Sequence, residues 1–425
     1  MRIGVIGLGK LGFPFALVLA RAGHQVIGYD LDGSRMSLEA LFGRETGIAE
    51  AIQQVRDDGL ALSFAPLESL AKEAEIVFFC VQTPHAPEFG GDRPLPDERR
   101  DFDYSYLKEA IENYLDYEQF AGKTLVIVST VLPGTCAREI KPLLIGTNTK
   151  FVYAPQFIAM GTVIRDFEQS REPWLIGTDD IGGAHEVEAV FRSISKRFIK
   201  VMSVASAEAA KVLYNTWITF KVTLANTAAL VCDAVEGADV GEVTAFLKIC
   251  HERLCSDRYM NAGMGDGGAC HPRDNIALSW LARQYELPYD AFGFLMEARE
   301  KHAQALAGRL KAIASEGMQH VVLGTAFKPD NDSEAGSSAI LVSCYLDDPI
   351  MLDPIVPARA REWHKQLLRL KGPCAVLIGC DHSDKQFEDL RWLPNGSSFL
   401  IPFMENRTRR QFPKNALVEY FGRRT

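Results

Sequence analysis

Residues 1–30 leave little choice of fold. Met1-Arg2-Ile3-Gly4-Val5-Ile6 reads as a short apolar strand that runs directly into Gly7-Leu8-Gly9-Lys10-Leu11-Gly12, a G-x-G-x-x-G turn. In that context Gly7 permits the tight turn and Gly9 lets the backbone approach a pyrophosphate. Gly12 lets the following helix, with Phe15, Ala16, Leu17 and Leu19, pack closely on the strand. The amino end of that helix, next to Lys10 and Leu11, offers N–H donors to a phosphate. A second apolar strand, Gln25-Val26-Ile27-Gly28-Tyr29, ends on Asp30, at the spacing expected of the carboxylate that receives an adenosine ribose. Asp30 would repel a 2′-phosphate, so the pattern predicts NAD in preference to NADP.

The remaining chain is long enough to repeat this architecture. With 425 residues, 47% of them hydrophobic, it can fill several cores. Strand patterns follow at 75–81, 124–130, 150–153 and 174–176, alternating with helical ones, which predicts a doubly wound sheet. The stretch 84–103, rich in Pro, Gly and charge, reads as a surface loop placed where a lid would sit. From Ala207 to about Glu236 there is one long helical pattern without Pro, then a second from Val240 to Leu254 and more from Ile276 through Ala314. Strand signals restart at 320–324, 349–353 and 375–379. The predicted architecture is therefore α/β, with two Rossmann-like doubly wound domains joined by a long central helix and a helical segment. Its expected divisions are 1–202, 203–316 and 317–425.

Charge and cysteine usage narrow the class. A net charge of −9 argues against a general nucleic-acid or anionic-membrane binder, which needs a basic face. No apolar run reaches membrane-spanning length and the first strand begins beside Met1, so a cytoplasmic protein is expected. The 9 cysteines lack paired metal spacings, and no metal site is expected. One of them stands apart. Cys270 lies in Gly263-Met264-Gly265-Asp266-Gly267-Gly268-Ala269-Cys270-His271-Pro272-Arg273-Asp274, a glycine-dense loop that is costly to order without a use. Dinucleotide binding plus such a thiol points to hydride transfer combined with covalent catalysis. On the long helix Lys211 and Asn215 are four residues apart and share a face.

These features, with Gly324-Thr325-Ala326-Phe327-Lys328-Pro329 further on, stand in a recognisable order. The chain resembles the UDP-glucose/GDP-mannose dehydrogenase family over nearly its whole length. Thr83-Pro84, Asp103-Tyr104-Ser105-Tyr106, Ser129-Thr130, Gly161-Thr162 with Arg165-Asp166, and Ala339 add to the likeness. The resemblance implies oxidation of a nucleotide sugar's C6 hydroxyl to a carboxylate with two NAD, and a homodimer through the central helices. It also implies roles. Cys270 would be the nucleophile, with Lys211 lowering its pKa and, with Asn215, holding the oxyanion at C6. Asp274 would orient water or Lys211, and Thr130 would bind water near the reacting carbon. Thr83 and Thr130 would line the cofactor, while Phe157, Gly267, Phe327 and Lys328 would contact the substrate.

The likeness breaks at four places. Gln156 stands where the family has a glutamate assigned to acid/base work around thioester hydrolysis, and Met160 replaces a second glutamate. Ala335 replaces an arginine that helps hold NAD, and Asp266 replaces an aromatic residue between the loop glycines. Three readings stay open: a dehydrogenase of an unusual nucleotide sugar, an enzyme that stops at aldehyde or thioester, and a nucleotide-sugar-binding pseudoenzyme. Retention of Cys270, Lys211, Asn215, Asp274 and Thr130 together favours the first. A β-hydroxyacid dehydrogenase of the 6-phosphogluconate type would lack the cysteine loop and the last α/β domain. His271 reads as structural, since adjacent side chains diverge.

Overall fold

Short runs of Val, Ile, Leu and Phe, apolar on both faces, become the strands of two sheets covered by helices, as buried parallel strands require. The structure, a computed structural model, describes all residues except 39–45, 87–99, 118–121, 160, 257–262, 269–270, 403–409 and 421–425. The chain divides into two compact units, residues 1–220 and 221–425. Among the described residues no helix is long and apolar enough to cross a membrane, and no His/Cys/Asp/Glu group could hold a metal ion.

The first unit is built on β1 (Arg2–Ile6), β2 (Gln25–Tyr29), β3 (Leu62–Phe64), β4 (Ile76–Phe79), β5 (Thr124–Ile127), β6 (Lys150–Tyr153), β7 (Trp174–Gly177) and β8 (Ile199–Met202). Their order is β3-β2-β1-β4-β5-β6-β7-β8, parallel throughout except between β6 and β7. The chain winds outward from β1 to β3 and then returns past β1 to β4. The carboxyl ends of β1 and β4 therefore flank a switch point, where such sheets bind ligands. The helix Gly12–Arg21 is buried from Gly12 to Ala20. It approaches the strand so closely that a Cβ on Gly12 would lie 1.9 Å from the Gly7 carbonyl oxygen. Phe15 stacks on Phe167 at 4.8 Å and meets Phe78 edge-on at 5.1 Å, which locks this helix to its neighbours.

The second unit carries β9 (Gln319–Leu323), β10 (Ile350–Leu352), β11 (Cys374–Ile378), β12 (Ser398–Ile401) and β13 (Leu417–Tyr420), all parallel, in the order β10-β9-β11-β12-β13. This is a doubly wound order whose switch point lies between β9 and β11. The long helix spans Val204–Ala234, and the boundary between units falls within it. The next helix, Val240–Lys248, stops short of the expected Leu254. The expected 276–314 stretch is two helices, His271–Gln284 and Ala291–Ile313. Glu286 in a left-handed conformation (φ 51°) and Pro288 end the first, and Asp290 caps the second by accepting the Gly293 N–H at 2.7 Å.

Asp353, at the end of β10, is 0% exposed and ties this sheet's loops together. It accepts N–H bonds from Thr325 (2.7 Å), Ala326 (3.0 Å), Ile355 (2.9 Å) and Val356 (3.0 Å). The His382 Nε2–H donates at 3.1 Å, while His382 Nδ1 accepts the Asp330 N–H at 2.9 Å, which fixes the neutral tautomer. Burial by itself would raise the Asp353 pKa, but the His382 and backbone hydrogen bonds outweigh it and hold the carboxyl down at about 2. A depressed folded-state pKa stabilises the fold above the unfolded value of 3.8, and the gain fades as pH falls towards 2. The shift corresponds to about 2 kcal/mol. Urea denaturation between pH 7 and pH 3 should show this acid-side loss in the parent and not in Asp353→Asn; identical acid slopes would contradict it.

Candidate active site

The carboxyl edge of the first sheet gathers most of the site residues expected from sequence. Gly7, at φ 90°, donates its N–H to the Tyr29 carbonyl at 2.9 Å, closing the turn after β1 on the end of β2. Asp30 Oδ2 accepts the Leu8 N–H at 2.7 Å, and Oδ1 accepts the Asp32 N–H at 2.9 Å. The side chain is thereby fixed at the edge with 9% of the residue exposed. Arg35, not anticipated from sequence, places Nη1 3.7 Å from Asp30 Oδ2. Among the described residues, a Cβ on Gly9 would meet only that guanidinium, at 3.9 Å, so they leave open space over the turn. Lys10 and Leu11 lie at that opening, and among the described residues no side chain caps the helix amino end behind them. An open cradle, an uncapped helix terminus and a fixed carboxylate together fit the pyrophosphate and ribose of NAD.

Loops after the next strands extend this edge. The Thr83 hydroxyl, beyond β4, donates to the Thr130 carbonyl, beyond β5, at 2.7 Å. Ser129 Oγ bonds the Val81 carbonyl, so the two loops are laced together. Beyond β6 comes Pro155-Gln156-Phe157. Gln156 is 5% exposed and its Nε2 donates to the Ala154 carbonyl at 2.8 Å. The Gln156 carbonyl accepts Lys211 Nζ–H at 2.7 Å. The same ammonium lies 4.9 Å from the centre of the Phe157 ring, which packs on Tyr214 at 4.6 Å. Burial pushes the Lys211 pKa below the usual lysine range. Asn215, one turn on, is exposed on the same helix. This lysine can hold a developing oxyanion, and its proton leaves more readily than that of a solvated ammonium.

In the second unit the glycines of the loop have specific neighbours. Gly265 (φ 111°) and Gly268 (φ 89°) need positive φ. A Cβ on Gly268 would lie 3.0 Å from the Phe327 ring, and one on Gly267 would lie 3.2 Å from the Gly336 carbonyl oxygen. The loop is thus pressed flat on the Phe327 segment, and Lys328 Nζ lies 5.4 Å from that same ring centre. Asp266 is paired rather than presented: Arg299 Nε donates to its carboxylate at 2.7 Å. Arg299 Nη2 also donates to the Gly336 carbonyl at 2.8 Å. Asp274 is exposed in the first turn of the His271–Gln284 helix. Cys270 and Met160, and residues 87–99 of the expected lid, lie outside the described residues.

Two further residues at this edge escaped the sequence reading. Arg35 could have been suspected as a cation a few residues beyond Asp30. Glu208 could have been noticed as an acid among the apolar residues that open the Lys211 helix, where it is almost wholly buried.

Comparison with known proteins agrees with this geometry. The model for the UDP-glucose/GDP-mannose dehydrogenase family, NAD binding domain, matches residues 1–195, and that for the family's central domain matches residues 205–301. GDP-mannose 6-dehydrogenase from Pseudomonas aeruginosa is 28% identical over 352 residues, covering 78% of this chain and 75% of that protein. UDP-N-acetyl-D-mannosamine dehydrogenase from Pyrococcus horikoshii is 28% identical over 428 residues, covering 94% and 93%. The solved ternary complex of GDP-mannose dehydrogenase from Pseudomonas aeruginosa has the same fold. Its TM-score is 0.81 at 24% identity, over 98% of this chain and 99% of that one.

The space above Gly9 yields a test that separates ligand from fold. Gly9→Ala should leave the melting temperature unchanged while weakening NAD about tenfold or more, roughly 1.4 kcal/mol. Fluorescence titration with NAD and NADP measures this, with NAD expected to be the tighter ligand. Unaltered NAD affinity in the variant would remove the turn from the cofactor site.

Proposed function

The chain belongs to the UDP-glucose/GDP-mannose dehydrogenase family of NAD-dependent oxidoreductases, and we propose that it oxidises the C6 hydroxymethyl of a nucleotide sugar to the carboxylate through Cys270. The observation that supports this best is Lys211, half-buried at the carboxyl edge of the NAD-binding sheet, bonded to the Gln156 carbonyl and lying over Phe157. NAD, when bound, supplies the hydride acceptor for two successive oxidations. Lys211 and Asn215 steady the oxygen at C6 as it gains negative charge. The Cys270 thiolate adds to the C6 aldehyde, giving a thiohemiacetal. Loss of the second hydride leaves a thioester, which water cleaves to the acid and the free thiol. Thr130 and Asp274 position that water. Phe157, Gly267, Phe327 and Lys328 hold the sugar nucleotide.

Cysteine chemistry is consistent with this assignment. Burial pushes the thiols of Cys80 and Cys380 up to about 12 and that of Cys374 to about 11, so these three stay protonated and inert at neutral pH. Gln156, lacking a proton acceptor, favours slow hydrolysis of the thioester, and an enzyme arrested at aldehyde or thioester is the second reading. We assign the protein to the cytoplasm and keep the three-part division into 1–202, 203–316 and 317–425. It acts as a homodimer through its central helices: Leu213, Trp217, Phe220 and Leu224 recur at helical spacing, each about half exposed.

NADH formed per sugar across a panel of UDP, GDP and other nucleotide sugars tests the reaction. Two per sugar is expected; one means arrest at the aldehyde, and none in any case removes the oxidation. Cys270→Ser should abolish acid formation while leaving NAD binding nearly intact. The covalent acyl adduct expected on the parent by intact mass should be absent from that variant. Unchanged acid yield would exclude the thioester route. For assembly, Trp217→Glu should convert a dimer to a monomer in light scattering, and a parent that is already monomeric overturns the interface.

A further inference from the structure

The helix that carries Lys211 also carries a buried acid for which the chemistry above has no use. Glu208, one turn earlier, is 1% exposed. Its Oε2 accepts the Gly134 N–H and its Oε1 the Cys136 N–H, both at 2.6 Å. Those amides end the segment Thr130–Cys136, which leaves β5 and begins with the threonine of the cofactor edge. The same segment is held from elsewhere in the first unit. Thr83 donates to the Thr130 carbonyl at 2.7 Å. The Tyr104 hydroxyl accepts from the Leu132 N–H and the Thr135 hydroxyl, both at 3.2 Å, while donating to Asp101 at 2.5 Å.

These grips differ in what they join. Thr83 and Tyr104 belong to loops of the sheet, so they fix the segment to its own strands. Glu208 belongs to the helix of Lys211. A side chain needed only to pack that helix against Val204, Ala207 and the sheet would be apolar, because taking a carboxylate out of water is costly unless its oxygens are bonded. Two short backbone bonds to an anion are stronger than neutral ones and fix both position and direction. With a spacing of three residues, Glu208 and Lys211 lie on nearly the same helix face.

We propose that Glu208 is a positioning residue that brackets the Thr130–Cys136 segment to the Lys211 helix, holding the cofactor-side threonine and the ammonium at one fixed spacing. This inference rests on the reading that Thr130 and Lys211 serve the oxidation at C6. The bracket acts on rate, because misplacing a reacting group by about 1 Å can cost about a hundredfold.

Glu208→Gln keeps the shape and one acceptor while turning an NH2 donor towards one of the two amides. In this variant the first-turnover rate of NADH formation, which precedes thioester hydrolysis, should fall about tenfold or more, and the isotope effect on that rate with a C6-deuterated nucleotide sugar should rise. KM for NAD and the melting temperature should change little. Peptides covering 131–140 should exchange amide hydrogens faster while β1 and β4 do not. An unchanged first-turnover rate overturns the proposal. So does a reduced first-turnover rate with an unaltered isotope effect and faster exchange throughout the sheet, which is simple loss of fold. If the parent forms no NADH from any nucleotide sugar, the oxidation reading falls, and exchange at 131–140 in Glu208→Gln alone decides the bracket, unchanged exchange overturning it. Should Glu208→Gln not fold, Glu208→Asp, which keeps the charge but shortens the reach to the two amides, is read by the same measurements.

Discussion

A carboxylate at the end of the second strand closes the first turn of each sheet, and the organisation of both units follows from it. In the first, Gly7 donates to the Tyr29 carbonyl at 2.9 Å and Leu8 donates to Asp30 at 2.7 Å. In the second, Gly324 donates to the Leu352 carbonyl and Thr325 to Asp353, both at 2.7 Å. The construction is the same; the use made of the carboxylate is not. Asp353 is saturated by four N–H groups and His382 and has no surface left for a ligand. Asp30 takes two N–H groups, stays at the rim and has a guanidinium near it. One sheet has committed its acid to holding loops, whereas the other leaves its acid at the rim, where on the reading proposed above it would meet the cofactor's ribose.

From that turn the register of the parallel sheet does the rest. Because β1, β4, β5 and β6 run the same way, the loops that follow them all open on one edge. Thr83, Thr130 and Gln156 come to that edge without any long-range recognition between their side chains. Lys211 is the exception, since it arrives on a helix. Among the described residues its hydrogen-bond partner is a neutral carbonyl, and no carboxylate pairs with it. An ammonium so placed keeps its charge available for an oxygen that becomes anionic. A carboxylate partner would have spent that charge in the resting state.

Much of this was legible in the sequence because the signals are local. The strand, glycine turn, helix, strand and Asp30 lie within one short stretch, and their order admits one geometry. The strands β3, β8, β12 and β13 were missed because each is three or four residues long and includes a Ser, Lys or Glu, whereas the equally short β4 and β10 are apolar throughout. The side chains that fasten the edge were missed for a different reason. Glu208 meets amides 74 and 72 positions away, and Arg299 meets Asp266 across 33. No spacing rule links such partners, and only the folded chain brings them together. The faint signal left behind is one of cost: an acid in an apolar helix face must be bonded to something.

The same reasoning changes the meaning of the residues that depart from the family pattern. Gln156 is built into its surroundings: its amide nitrogen donates to the Ala154 carbonyl and its backbone oxygen receives Lys211. A carboxylate in that rotamer would set acceptor against acceptor, so a glutamate here would need its proton or another orientation. Asp266 adds no free charge, because Arg299 neutralises it and at the same time ties the glycine loop to Gly336. Ala335 removes one guanidinium and leaves Asp30, Arg35 and the glycine turn in place. The departures therefore do not add up to a general loss of function. On the reading proposed above, Gln156 alone of these bears on the step that needs a base to activate water, and hydride transfer keeps its ribose acid, its threonine and its lysine.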